Sequence, residues 1–420
     1  MDIEKSLHKL YSLHNFGVKL GLENIEKFLH YIGNPQKELR AFHIAGSNGK
    51  GSCASFIASI LTELNYKVGL YTSPHFVRFN ERVKINNTEI PDYYISSFVL
   101  EYEKYIDDNQ LTFFEVTTAM AFKYFMEQNV DYAVIETGLG GRLDATNSLN
   151  PLAAVITSIS LEHTNVLGNT IGEIAAEKAG IIKRGCKVFT GKLPGDALNV
   201  IETKSSAMEC ELFKLTDYVI EKKNSLELFS RENEINEQIM PLKGNHQNYN
   251  AALAGLTISK SLNLDDFNPI KQGIRNIVAN TGFQGRYEFF KKKPDIIFDS
   301  AHNIEGIKSF TDEFIKDFEK YSRRTLLFGV MKDKAIEKML LNIKDYFDEI
   351  FITEIDIERS CKIEILREIA SGINLKVNVE KDPVALVTEF ETRAGDECLV
   401  ILGSMYLIGE IKSKLTKIIT

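Results

Sequence analysis

The sequence has no apolar run near the roughly 20 residues that a helix needs to cross a bilayer, so no membrane segment is expected. Its first residues, Met1–Lys5, lack the basic start and apolar core of a signal peptide. The five cysteines include no Cys-x-x-Cys pair, which argues against a disulfide framework and a zinc site and favours a reducing cytoplasm. A net charge of −8 disfavours a broad nucleic-acid surface, and no nucleic-acid partner is expected.

The chain does contain short apolar runs that alternate with amphipathic stretches. Its 420 residues predict two or three domains. Runs that are apolar on both faces and separated by helices are typical of parallel strands in an α/β sheet. Such runs occur at 40–45, 66–71, 131–135, 153–159, 187–190, 295–298, 325–329, 348–353 and 398–402. Helices are predicted at 52–64, 113–128, 170–179, 246–262, 304–320 and 404–416.

A domain boundary is predicted near residues 281–285, where a fresh series of strands and helices begins. We therefore expect a larger domain at 1–281 and a smaller one at 286–420, with ligands where the two meet. Residues 211–240 have a different pattern, alternating and charged. That pattern predicts an antiparallel edge of the first domain.

The first apolar run ends in a glycine-rich segment that leads into a helical stretch. The segment reads Gly46, Ser47, Asn48, Gly49, Lys50, Gly51, Ser52. This order is typical of a phosphate-binding loop, in which backbone N–H groups and a helix N-terminus hold phosphate oxygens. Lys50 is placed to reach the β- and γ-phosphates, and Ser52 to lie near the metal. The general pattern has glycine where Ile44 stands and Ser or Thr where Gly51 stands, so a plain glycine-rich turn is the alternative.

Other polar residues follow later apolar runs, at the strand ends where open parallel sheets bind ligands. Glu136 ends one run, and a carboxylate that faces a phosphate loop is a natural Mg²⁺ ligand. A solvated strand end is the alternative for Glu136. His163 is either a metal ligand or a hydrogen-bonded core histidine. Ser73 follows another run, and Asp299 with His302 follows a run in the second half.

Two predicted helices begin with capping boxes, at Thr112–Glu115 and Thr170–Glu173. Because Glu115 belongs to the first capping box, a purely structural role is the alternative for this residue. The second helix is expected to end at Gly180 in the left-handed conformation. Lys178 lies on the inward, apolar face of this second helix. A lysine there is paired, functional or snorkelling to the surface.

Together these segments resemble the dihydrofolate synthase/folylpolyglutamate synthase family, within the Mur ligase superfamily. The resemblance spans roughly residues 20 to 410 and rests on many motifs in order. They read GSNGKGS, TSPH, FVRFNERV, TFFE, ETGLGGRLDATN, LEHT, EKAGIIK, FQGRYE, FDSAHN, GVMKDK and LGSMYLIGE. Ser47 replaces the family's usual Thr and Glu162 its usual Asp, and both keep the functional group.

The resemblance implies an α/β fold with two parts. The first is a P-loop-type Mur ligase central ATPase domain with a mostly parallel sheet, and the second a smaller Rossmann-like C-terminal domain. It also implies a reaction. A substrate carboxylate attacks the γ-phosphate of ATP to give an acyl phosphate, and the amine of L-glutamate then displaces phosphate. The expected small-molecule partners are ATP, L-glutamate and dihydropteroate or a reduced folate, and a monomer is expected.

The resemblance also assigns roles to individual residues. Lys50, Lys178 and His302 are implied to be catalytic, with a role on the glutamate side as the alternative for His302. ATP is implied to contact the loop from Gly46 to Ser52, Asn250, Arg286 and Asp299. Metal ligands are implied at Ser73, Glu136 and His163, for two Mg²⁺ ions. The pterin substrate is implied to bind at Thr112, Phe113, Phe114, Glu115, Leu143, Asp144 and Ala145.

Lys178 matches a lysine that the superfamily carbamylates with CO₂. The modification explains an inward lysine physically, because an ammonium beside Mg²⁺ is repelled whereas a carbamate supports the metal. The implied cofactors are therefore Mg²⁺ and a carbamylated Lys178, with ATP as a substrate.

Within the family, a bifunctional enzyme is favoured because Leu143–Asn147 resembles versions that accept dihydropteroate. A folylpolyglutamate synthase without dihydrofolate synthase activity is the alternative. Outside the family, a P-loop switch or kinase and a non-catalytic binding protein are less well supported. The loop's departures from the general pattern and the second α/β domain count against them.

Overall fold

The computed structural model describes residues 2–13, 21–222, 225–230, 233–236, 238–393 and 395–419, with side chains described up to 415. The chain forms two compact units. One comprises Met1–Pro241 with Gln247–Phe283, and the other Leu242–His246 with Gln284–Thr420. Among the described residues, no helix combines the length and apolar character needed to span a bilayer.

The first unit is built on an eight-stranded sheet in the order β4-β3-β2-β5-β1-β6-β7-β8. Its strands are β1 Ala41–Ala45, β2 Val68–Tyr71, β3 Val83–Ile85, β4 Thr88–Glu89, β5 Tyr132–Glu136, β6 Ala153–Ile156, β7 Lys187–Thr190 and β8 Leu212–Lys214. The strands from β2 to β8 in this order run parallel, and only β3 and β4 are antiparallel. The carboxyl ends of β5, β1 and β6 therefore meet at one edge, where ligands bind in such sheets.

Helices cover both faces of this sheet. They are α1 Ile3–Ser12, α2 Glu23–Tyr31, α3 Lys50–Glu63, α4 Asp92–Asp108, α5 Phe113–Glu127, α6 Thr164–Leu167, α7 Ile171–Ala179, α8 Gly195–Ala207, α9 Asn245–Leu262, α10 Asn268–Arg275 and α11 Ile277–Thr281. Residues of α3 from Ser52 to Leu61 are buried without a break. Such all-round burial is typical of a helix enclosed by other elements, so α3 holds the loop before it firmly.

The antiparallel pairing predicted for the 211–240 edge of the first domain is confirmed for 219–235, but these strands are not part of the main sheet. β8 joins the edge of the main sheet parallel to β7. The residues after it form a separate antiparallel sheet of β9 Val219–Glu221, β10 Leu226–Leu228 and β11 Glu234–Ile235. The antiparallel edge of the main sheet lies instead at β3 and β4.

The second unit has a six-stranded sheet in the order β12-β13-β17-β14-β15-β16, in which only β12 is antiparallel. Its strands are β12 Glu288–Lys291, β13 Asp295–Asp299, β14 Arg323–Phe328, β15 Glu349–Ile352, β16 Asn378–Val379 and β17 Glu397–Leu402. Its helices are α12 Ile304–Phe314, α13 Ile336–Ile343, α14 Ile363–Gly372, α15 Pro383–Glu391 and α16 Met405–Ile419. The predicted α/β fold class is confirmed in both units.

Candidate functional site

The glycine-rich loop after β1 is held in place by the residues that follow β6. Asn48 N donates to Ser158 Oγ at 2.9 Å, and the Thr157 hydroxyl donates to Asn48 O at 2.7 Å. Ser47 Oγ accepts from Ser160 N at 3.0 Å. Lys50 begins α3 and turns back over the loop, so that its Nζ donates to Gly46 O at 2.9 Å. The loop is thus a shaped turn at a helix N-terminus, as a phosphate-binding loop requires.

Gly49 takes a left-handed backbone, with φ of 83°. A Cβ at this position would lie 2.5 Å from Asn250 Oδ1 on α9. Glycine therefore serves both the turn and the close approach of the asparagine. The predicted ATP contact Asn250 is brought beside the loop, and its Nδ2 donates to Gln247 Oε1 at 3.2 Å.

The carboxylate of Glu136 faces the start of α3. It is buried at the end of β5, and a Cβ on Gly51 would lie 3.5 Å from its oxygens. Glu136 Oε2 accepts from Ser73 N at 2.9 Å, which brings two of the three predicted metal ligands together. A hard carboxylate oxygen beside a phosphate-binding loop fits the ligand preference of Mg²⁺.

The third predicted ligand, His163, is exposed and lies at the start of α6 with φ of 45°. Among the described residues, no group of three or more His, Cys, Asp or Glu side chains is arranged to hold a metal ion. A Mg²⁺ ion at Glu136 therefore needs oxygen ligands beyond acidic side chains, such as a hydroxyl, water or nucleotide phosphate.

Lys178 is a buried lysine paired with a carboxylate. Its side chain is 1% exposed, and its Nζ lies 2.7 Å from Glu162 Oε1. Burial, reinforced by the positive charge of Lys50, lowers the pKa of Lys178 to about 8 despite the attraction of Glu162. Burial disfavours ionisation of Glu162, but Lys178 and Lys50 outweigh it and hold the pKa of Glu162 below its usual value. The inward lysine is therefore paired, and snorkelling is ruled out.

Both predicted capping boxes are present. Glu115 is buried, and its Oε2 accepts from Thr112 N at 2.7 Å and from the Thr112 hydroxyl at 2.9 Å. Its carboxylate thus has a structural use at the start of α5. The neighbouring Phe114 ring packs on Gly138, where a Cβ would lie 2.5 Å from the ring.

Residues 138–147, which we term the acceptor loop, contain the predicted pterin contacts Leu143, Asp144 and Ala145. Asp144 is buried and caps the following turn, with Oδ2 accepting from Leu139 N at 2.8 Å and Oδ1 from Thr146 N at 3.1 Å. Burial raises the pKa of Asp144, although these donors oppose the shift. The Asp144 side chain therefore shapes the loop from inside.

The acceptor loop packs against the end of α7, which carries Lys178. Arg142 N donates to Glu177 O at 2.7 Å. The expected left-handed Gly180 was wrong, because its φ is −59°. Gly180 is needed for a different reason, since a Cβ there would lie 2.3 Å from the Cα of Arg142. The loop and the lysine helix are thus in direct contact.

The second unit contains the remaining predicted site residues, Arg286, Asp299 and His302. Both oxygens of Asp299 accept backbone hydrogen bonds, from Tyr287 N and Ala301 N, each at 2.8 Å. Burial raises the pKa of Asp299, while the positive charge of Arg286 opposes that shift. His302 Nδ1 lies 2.9 Å from Ser300 O. These residues cluster at the carboxyl end of β13.

Two contributions were missed from the sequence. Thr157, Ser158 and Ser160 brace the phosphate-binding loop, but they were counted within or beside an apolar run. His43 is fully buried in the middle of β1 and bonds to Thr146 at 2.8 Å. A histidine inside an otherwise apolar strand was the signal that could have identified it, because buried polar side chains need partners.

Comparison with known proteins extends the picture along the whole chain. The Mur ligase middle domain matches residues 44–258, and the Mur ligase glutamate ligase domain matches residues 285–405. The dihydrofolate synthase/folylpolyglutamate synthase of Bacillus subtilis is 36% identical over 416 residues, covering 95% of this chain and 96% of the relative. The folylpolyglutamate synthase of Lacticaseibacillus casei is 32% identical over 401 residues, covering 92% of each.

Solved structures agree with the sequence relatives. E. coli FolC in complex with DHPP and ADP superimposes with a TM-score of 0.87 at 28% identity, covering 100% of this chain and 99% of that one. Mycobacterium tuberculosis folylpolyglutamate synthase complexed with ADP and AMPPCP gives a TM-score of 0.86 at 27% identity, covering 98% and 99%.

Proposed function

This chain belongs to the Mur ligases of the dihydrofolate synthase/folylpolyglutamate synthase family, and from that premise we propose the reaction it catalyses. It is a ligase that uses ATP to join L-glutamate to dihydropteroate, to tetrahydrofolate and its polyglutamates, or to both. The acceptor's carboxylate takes the γ-phosphoryl group to form an acyl phosphate. The amine of glutamate then forms the new C–N bond, and ADP and phosphate are released.

The observation that carries this proposal is the assembly at the carboxyl ends of β1, β5 and β6. The phosphate-binding loop, the Glu136 carboxylate and the Lys178–Glu162 pair all lie at this edge. Phosphoryl transfer needs mainly positioning and charge neutralisation. Lys50 supplies positive charge at the loop, and the backbone N–H groups at the start of α3 supply further donors.

Mg²⁺ is proposed as the metal, with two ions held through Glu136, Ser73 and His163. The fit rests on Glu136, whose hard oxygens face Gly51 of the phosphate-binding loop. When bound, Mg²⁺ neutralises phosphate charge. The chain's own contribution is to hold the Glu136 carboxylate in place, which Ser73 N does with its hydrogen bond.

We also propose that Lys178 is carbamylated. The amine attacks CO₂, a C–N bond forms, and the amine loses one proton to solvent. A pKa of about 8 leaves a fraction of neutral, nucleophilic amine near neutral pH. Lys178 Nζ lies 2.7 Å from Glu162 Oε1, so the carbamate formed on this nitrogen would be a second anion beside Glu162 and would need a cation to offset the repulsion. Lys178 modification and metal binding are therefore coupled in this proposal.

The remaining site assignments are proposed for each unit by itself. Asn250 is proposed as an ATP contact because it touches Gly49 of the loop. Arg286 and Asp299 are proposed to contact ATP, and His302 to act in catalysis, on the strength of their motif in the second unit. The domains are proposed at 1–281 and 286–420, and the protein is proposed to act as a monomer.

The reaction is tested by ADP release with L-glutamate and either dihydropteroate or tetrahydrofolate. Turnover with both acceptors supports a bifunctional enzyme, and turnover with tetrahydrofolate alone supports the folylpolyglutamate synthase alternative. Lys50→Ala should reduce either activity by about a hundredfold or more, the range for removal of one charge-stabilising group. ADP release that is independent of acceptor and glutamate would overturn the ligase proposal.

A further inference from the structure

β1 contains one side chain that its packing does not explain. His43 is fully buried among apolar neighbours on the strand that ends at the phosphate-binding loop. Its Nε2 lies 2.8 Å from Thr146 Oγ1. The Thr146 hydroxyl in turn donates to Asp144 Oδ1 at 2.6 Å. A hydrogen-bonded chain therefore runs from the middle of β1 to the acceptor loop.

The direction of this chain follows from the donors around Asp144. Its two oxygens accept from the backbone N–H groups of Leu139 and Thr146, so the carboxylate acts as an acceptor. The single hydroxyl hydrogen of Thr146 is used by Asp144. His43 must then donate from Nε2, which leaves Nδ1 without a hydrogen. Burial, aided by Lys183, lowers the pKa of His43 to about 3, in keeping with a neutral ring.

His43 Nδ1 is buried and has no hydrogen-bond partner among the described residues. An unpaired buried acceptor is unfavourable, and an apolar side chain of similar size fills a strand interior without that penalty. Packing alone is therefore a poor reason for a histidine here. The group that distinguishes histidine from leucine at this position is the Nε2–H, and its partner among the described residues is Thr146.

The chain ends on a segment that touches several parts of the site. Asp144 draws Leu139 N inward, next to Gly138 and the Phe114 ring. At the other end of the loop, Asn147 Nδ2 donates to Arg142 O at 2.9 Å and to Gly180 O at 3.1 Å. The position of Asp144 therefore sets the loop between the Phe114 ring and the helix of Lys178.

We propose that His43 is a positioning residue that acts through Thr146 and Asp144. It holds the acceptor loop at a fixed position relative to β1, the strand that leads into the phosphate-binding loop. The proposal rests on the proposed function, because Leu143–Ala145 are taken as acceptor contacts. Loss of the Nε2–H loosens the acceptor loop and leaves the phosphate-binding loop braced by Thr157, Ser158 and Ser160. The KM for the folate acceptor then rises, while the KM for ATP does not.

The test is steady-state kinetics of the full chain with tetrahydrofolate, ATP and L-glutamate. His43→Leu and Thr146→Val should each raise the KM for tetrahydrofolate about tenfold, the effect of one lost hydrogen bond in a buried setting. The KM for ATP should stay within about twofold of wild type. Because both changes break the same link, the double variant should be no worse than the more affected single variant.

Conservative variants separate positioning from mere stability. His43→Gln keeps an N–H donor near the place of Nε2, and Thr146→Ser keeps the hydroxyl, so both should restore a low KM for tetrahydrofolate. In His43→Asn the shorter side chain leaves the amide too far from Thr146 to form the hydrogen bond, so this variant should resemble His43→Leu. Ser205→Ala is the matched control, because Ser205 is also buried with an unpaired hydroxyl but lies on α8. Its KM values should equal those of wild type.

If the wild-type enzyme is active and His43→Leu has the same KM for tetrahydrofolate, the positioning role of His43 is overturned and the proposed function is not. The same holds if both KM values rise together, or if Gln and Leu at position 43 are equivalent. A wild-type chain that does not ligate glutamate to any folate acceptor would instead overturn the proposed function. The two failures are thus distinguishable.

Discussion

Two lysines near the phosphate-binding loop show how the surroundings of a residue set its chemistry. Lys50 Nζ donates to the carbonyl oxygens of Gly46 and Ser47, at 2.9 and 3.3 Å, within the loop itself. Lys178 is almost fully buried, and burial lowers its pKa to about 8. A fraction of Lys178 is therefore a neutral amine near neutral pH, which suits this lysine to react with CO₂.

The extent of Lys178 carbamylation should rise with pH. The reactive form is the neutral amine, whose fraction grows as pH increases through the pKa of about 8. Labelled CO₂ held at constant dissolved concentration with Mg²⁺ present, followed by NMR of the carbamate carbon, measures this. We expect the signal to grow as pH increases through about 8, because carbamate formation also releases a proton, and we expect no signal in Lys178→Arg. A signal that falls as pH rises, or that persists in Lys178→Arg, would contradict the assignment.

Residue roles were predictable where helical or strand spacing carries the information. The inward position of Lys178 followed from periodicity, and burial of its side chain bears this out. Its partner Glu162 did not follow, because spacing along one helix does not identify a residue on another segment. His43 and Ser158 were missed for the same reason: their partners, Thr146 and Asn48, are distant in the sequence. Long-range hydrogen bonds need the fold.

At the scale of elements, α7 has one glycine in its first turn and another directly after its last residue, and the two have opposite surroundings. Gly180, directly after the helix, meets the backbone of Arg142, where a Cβ would lie 2.3 Å from Cα. Gly172 lies in the first turn, and a Cβ there would meet nothing within 4 Å. Neither glycine has a left-handed φ. The two positions therefore separate close packing from the flexibility of glycine.

Gly180→Ala should destabilise the protein by about 1–3 kcal/mol, because backbone atoms must move to admit the methyl group. Gly172→Ala should be neutral or stabilise it by up to about 1 kcal/mol, since alanine favours a helix over glycine. Urea unfolding followed by circular dichroism measures both. Equal effects from the two substitutions would show that the Gly180–Arg142 contact is not tight. Gly180→Ala should also raise the KM for the folate acceptor, since the acceptor loop rests there.

Strands were predicted well where the sequence pattern is compatible with one arrangement only. Buried runs such as 187–190 became parallel strands at the predicted residues. The alternating pattern at 211–240 has several solutions, because a sheet edge and a small separate sheet both have one exposed face. The structure uses both, with β8 on the main sheet and β9–β11 apart from it. Alternation alone does not say which sheet a strand joins.

At the scale of the whole molecule, each unit has a hydrophobic core of its own. In the first unit, Phe28, Phe122 and Phe125 belong to one buried cluster on the main sheet. In the second, Phe314, Phe328 and Leu340 belong to another. A six-stranded sheet with helices and its own core meets the usual conditions for independent folding. The second unit should therefore fold without the first.

Residues 284–420 expressed alone should give a single cooperative thermal transition, because the core around Leu340 lies within the unit. Leu340 is fully buried on α13, whereas its neighbour Leu341 is 42% exposed. Leu340→Ala should destabilise the fragment by about 2–5 kcal/mol, while Leu341→Ala should change its stability by less than about 0.5 kcal/mol. Thermal unfolding of the fragment and of its two leucine variants, followed by circular dichroism, measures these changes in stability. A gradual melt, or equal shifts from the two leucine substitutions, would show that the core of the second unit depends on the rest of the chain.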